Sequence, residues 1–121
     1  MVSVLAPSIC YADASVPHSL TEAREHLLKE RENLLADRAA LNSKLNNLVS
    51  SRLQIDKALN GNPANRQAIT DARANLIAQI YKMQNYLDHT ERDLMNNDKD
   101  LGVVESEIRR FACMNIGSQT Y

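Results

Sequence analysis

Residues 56–69 read DKALNGNPANRQAI. The stretch interrupts an apolar periodicity that is helical on both sides of it. Whether it is a linker or a bend decides the architecture. A flexible linker would be longer and richer in Gly and Ser. Here Gly61 can supply a left-handed helix C-cap, Asn62 is a good N-cap, and Pro63 suits a first helical position. A connection this short makes its two flanking helices antiparallel neighbours.

Upstream of the bend, Leu20, Leu27, Leu34, Leu41, Leu48 and Ile55 recur at strict heptad spacing. Such spacing keeps one seam turned toward a partner helix. Ser19 and Glu22 have capping-box spacing, and Pro17 keeps the preceding chain out of helix. These signals predict a first helix over about 20–60 and a turn over 60–63. Downstream, apolar positions alternate by three and four from Ile69 through Ile80, Met83 and Leu94 to Leu101, Ile108 and Phe111. Arg73, Thr90 and Asn97 are the polar members of that seam. The run predicts a second helix over about 63–112, with Gly117 in a fraying tail over 113–121.

The two seams check each other. Folding the chain at Gly61 pairs Leu48 with Leu76, Leu41 with Met83, Leu34 with Thr90, Leu27 with Asn97 and Leu20 with Val104. Two unrelated helices on a linker would have no reason to agree in register. The expected fold is therefore all-α: a long antiparallel two-helix coiled-coil hairpin over 19–112, completed to a four-helix bundle by dimerisation.

Composition agrees. The 121 residues hold one Phe, four Tyr and no Trp, so the large aromatic pieces of a globular core are nearly missing. Basic and acidic residues nearly balance, 14 against 15, which leaves no strongly basic face for nucleic acid. No stretch is long and apolar enough for a membrane-spanning helix. Residues 1–18 read as an extended apolar N-terminal arm. Its first dozen residues have the character of a truncated secretory signal, though without a basic n-region. If the arm runs back along the second helix, the register brings Cys113 near position 11, which would allow a Cys10–Cys113 bridge; free thiols are the ordinary state. The compartment is left open.

Three features bear on function. The first is an Arg row, Arg24, Arg31, Arg38 and Arg52, at heptad spacing in the second seam position of the first arm. Arg stems can cover apolar surface while their guanidinium groups reach Glu91, Asp98 or Asp88 at the rim. The sharper reading is an anion-facing ridge. The second is an apolar strip of Leu28, Leu35, Val49, Tyr81 and Met95 beside the central seam. A two-helix hairpin leaves that flank open, and an exposed strip marks an interface. The opposite flank, with Asp37, Lys44, Ser51, Lys82 and His89, suits water. The third is the placement of Glu22, His26 and Glu30 on one helix face, which raises a metal-dependent enzyme as an alternative. No Gly-rich phosphate loop, nucleophile elbow or Glu-x-x-His pair accompanies it. The expected function is non-enzymatic: a scaffold, adaptor or chaperone-like module that offers helical surface to a second copy or to another protein's helix. No cofactor is expected, and weak nucleic-acid binding through the Arg row is the other alternative.

Overall fold

The computed structural model describes residues 16–119, with side chains over 16–111. Two α-helices account for nearly all of them: α1, His18–Asn60, and α2, Arg66–Gln119. They pack against each other as an all-helical hairpin, and the described residues contain no strand. The chain divides into two compact units, one comprising Met1–Glu32 with Met95–Tyr121 and the other Asn33–Leu94.

The packing follows the sequence seams. Along α1, Leu27, Leu34, Leu41, Leu48 and Ile55 are half-buried, and so are Arg31, Arg38, Leu45, Arg52 and Leu59 between them. No α1 residue is fully buried. The deeply covered side chains belong to α2. In the second unit these are Ile80, Thr90 and Leu94; in the first they are Asn97 and Leu101. One helix thus supplies the buried stripe, and the other lies on it with a seam that stays half open. Each buried leucine or isoleucine contributes about 1.5–3 kcal/mol against exposure.

The helix ends depart from expectation in three places. α1 begins at His18, one residue before the proposed cap at Ser19. The Pro17 carbonyl accepts the first helical bond, from the Leu20 amide at 3.0 Å, so Ser19 already lies inside the helix and cannot form a capping box. At the bend, Gly61 does not take the left-handed conformation. Asn62 does, with φ 57°. Its amide donates to the Leu59 carbonyl at 3.1 Å, which helps to close α1. A residue that closes one helix with positive φ cannot also open the next from the extended region an N-cap requires. The start of α2 therefore moves past Pro63 to Arg66. The Asn65 carbonyl accepts from the Ile69 amide at 3.2 Å, and Arg66 reaches back to donate to the Leu59 carbonyl at 3.2 Å. Lastly, α2 continues to Gln119 rather than ending near residue 112. No proline follows Pro63, and a lone Gly117 costs only about 1 kcal/mol in a helix. Cys10, and the side chain of Cys113, lie outside the described residues, as do residues 1–12 with their proposed signal character.

Candidate protein-interaction surfaces

The polar members of the seam differ in what they reach. Thr90 donates its hydroxyl to the Tyr86 carbonyl one turn back on its own helix, at 3.0 Å. It satisfies itself locally and reads nothing on α1. Asn97 is 1% exposed, and its Nδ2 crosses to α1, donating to the Leu27 carbonyl at 2.9 Å and to Glu30 Oε1 at 3.1 Å. The Leu27–Asn97 pairing expected from the two seams is thereby the one found. Asn97 Oδ1 is buried with no hydrogen-bond partner. An unpaired buried amide oxygen costs about 1–3 kcal/mol, a loss that is tolerable where the residue specifies register.

Three members of the Arg row pair with α2. In the first unit Arg24 Nε lies 3.1 Å from Glu105 Oε2, and Arg31 Nη1 pairs with Asp98 Oδ1. In the second unit Arg38 Nη1 lies 3.6 Å from Glu91 Oε1. The anticipated rim partners Glu91 and Asp98 are the ones used; Asp88 is not. No ion pair joins Arg52 to a described residue. Two heptads beyond Glu91 toward the bend, the α2 position is Ile77, which offers no carboxylate. Nearer the bend the polarity reverses: Arg73 Nε donates to Asp56 Oδ1 at 2.6 Å. Arg24, Arg31 and Arg38 are inter-helix clasps, and Arg31 and Arg38 are half-buried as well.

All five positions of the expected apolar strip are exposed. In the first unit these are Leu28, at 37%, and Met95, at 71%; in the second they are Leu35, Val49 and Tyr81. Leu53, Tyr86, Val103 and Phe111 are exposed as well. Leu53 stands one turn from Val49, and Val103 one turn from Lys99, Asp100, Ser106 and Glu107; neither falls on the spacing of the seam or of the strip.

On the flank assigned to water, the second unit carries two grooves. One, of about 420 Å³, is floored by Leu48 and Met83 between Lys44 and Lys82. The other, of about 360 Å³, lies over Leu41 and Thr90 and is lined by Tyr86, His89 and the same Lys44. Ala40, Asn47 and Ser51 are too short to cover the seam there, so apolar atoms stay open where polarity alone suggested a plain wet surface.

The Glu22–His26–Glu30 face does not converge. Glu22 Oε1 lies 2.8 Å from His18 Nε2, and Glu30 is taken by Asn97. Among the described residues no three of His, Cys, Asp and Glu gather as a metal would require. No described helix is long and apolar enough to cross a membrane. The chain matches no known protein family, and neither the curated proteins nor the solved structures include a significant match to it.

Proposed function

We propose that the chain is a non-enzymatic protein–protein interaction module: a helical hairpin that offers exposed apolar positions to a second copy of itself, as a scaffold or chaperone-like adaptor does. The observation that carries this reading is the exposure of Leu28 and Met95 in one unit and of Leu35, Val49 and Tyr81 in the other, beside an α1 that buries no residue fully. Large apolar side chains left exposed within a unit of a hairpin are what a further pair of helices covers in a four-helix bundle. Covering one leucine is worth about 1.5–3 kcal/mol, so a few such contacts suffice for association.

The test replaces Leu28 and Leu35 together by Glu and measures mass by light scattering. The wild type is expected to be a dimer and the double variant a monomer of unchanged helicity. A monomeric wild type, or an assembly that the two charges do not disturb, overturns the homotypic reading. The metal-enzyme and nucleic-acid alternatives lack a favouring observation, since Glu30 and most of the Arg row are spent on contacts within the hairpin.

A further inference from the structure

The flank of the second unit that carries Lys44 and Lys82 combines an apolar floor with free positive charge. Leu41, Leu48 and Met83 form the floor, half-covered by their own hairpin. The two grooves meet at Lys44, which lines both. Their α1 lining runs over residues 37–51, roughly 21 Å, or about four helical turns, at the standard rise. A trough of that length, open along one side, has the proportions of a helix rather than of a compact small molecule.

The charge is one-sided. The larger groove has Lys44 and Lys82 in its lining and no carboxylate. Neither lysine forms an ion pair with a described residue, in contrast to Arg24, Arg31 and Arg38. The Lys82 ammonium stands 5.9 Å from the centroid of the Tyr86 ring, which holds it at the trough by a cation–π contact. Asp37, in the lining of the smaller groove, is the sole carboxylate lining either.

We infer that this trough docks an acidic amphipathic helix of a partner protein, seated with its apolar stripe on Leu48 and Met83 and its carboxylates at Lys44 and Lys82. This is the helix-in-groove mode of recognition, with apolar anchors supplying affinity and the two ammonium groups selecting against a basic helix. The assignment is independent of self-association through Leu28 and Leu35.

The test uses the full chain and a fluorescein-labelled three-heptad peptide, with Leu at its seam positions and Glu on both flanks. A control peptide carries Lys in place of every Glu. Anisotropy at low salt is expected to show the acidic peptide binding at least about tenfold more tightly than the basic one, with the preference shrinking as salt rises. Lys44→Glu with Lys82→Glu is expected to weaken the acidic peptide by at least about tenfold, with helicity and melting temperature unchanged. Leu28→Glu with Leu35→Glu should leave peptide binding as it is, so failure of self-association and failure of the trough are told apart. Equal binding of the two peptides, no binding at low salt, or a charge-reversed chain that binds like wild type overturns the inference. If Lys44→Glu with Lys82→Glu instead halves the mass of the wild-type assembly, the occupant is a second copy and the partner assignment falls.

Discussion

Asn97 and Thr90 occupy equivalent places in the α2 seam, yet only Asn97 carries information about α1. A Thr hydroxyl is short enough to bond back to the carbonyl four residues earlier, and Thr90 does so. The Asn amide is longer and reaches the Leu27 backbone. Both were legible in the sequence as polar seam positions; what separates them is reach, a property of side-chain length rather than of pattern. The difference predicts opposite behaviours. Thr90→Val should stabilise by about 1 kcal/mol, because the Tyr86 carbonyl keeps its helical bond and a buried hydroxyl is removed. It should leave the helix pairing unchanged. Asn97→Leu should also raise the urea midpoint, since it removes the orphaned Oδ1, but it should broaden spin-label distances between the helices as alternative registers become accessible. A distance distribution as narrow as wild type would mean that Asn97 does not select register. Asn62 makes a third case at this scale. With φ 57° it sits where a β-branched side chain is strained, so Asn62→Val should cost about 1–2 kcal/mol and Asn62→Gly very little. Gly61 has no such constraint, and Gly61→Ala should be nearly neutral; thermal melts compare all three.

At the scale of the element, heptad spacing made both helices and their pairing legible because packing along a seam is what the spacing encodes. The helix ends were less so. They depend on which residue wins a local competition for cap geometry, and at the bend Asn62 can serve only one helix. The Arg row shows how an element tolerates charge in a seam. Arg31 and Arg38 are half-buried through their stems while their guanidinium groups pair at the rim. Pairs this exposed are worth about 0–1 kcal/mol each, so the stems should matter more than the charges. Arg38→Met, which keeps the stem, is therefore expected to change the urea midpoint little. Arg38→Ala, which uncovers the seam, should cost about 1 kcal/mol or more. If the two substitutions cost the same and high salt removes the difference from wild type, the ion pairs rather than the stems hold the seam.

For the molecule as a whole, the seam accounts for one face of each helix and leaves the flanks to be explained. The exposure of Leu28, Leu35, Val49, Tyr81 and Met95 was readable from their positions off the seam; the trough was not, because it arises from short side chains at Ala40, Asn47 and Ser51 beside Lys44 and Lys82. Openness depends on what fails to cover the seam, and polarity patterns do not record that. The proposed self-association through Leu28 and Leu35 makes a further prediction that needs no assumption about geometry. A folded dimer in equilibrium with unfolded monomers is stabilised by mass action, so a hundredfold rise in protein concentration adds about 2.7 kcal/mol per dimer. The melting temperature of the wild type should then climb by several degrees over that range, followed by circular dichroism. Leu28→Glu with Leu35→Glu should flatten the dependence while preserving helicity, since both side chains are exposed in the hairpin itself. A wild type whose melting temperature ignores concentration folds as a monomer. Its exposed leucines would then have to serve a different chain, and the same variant would leave its thermal stability unchanged.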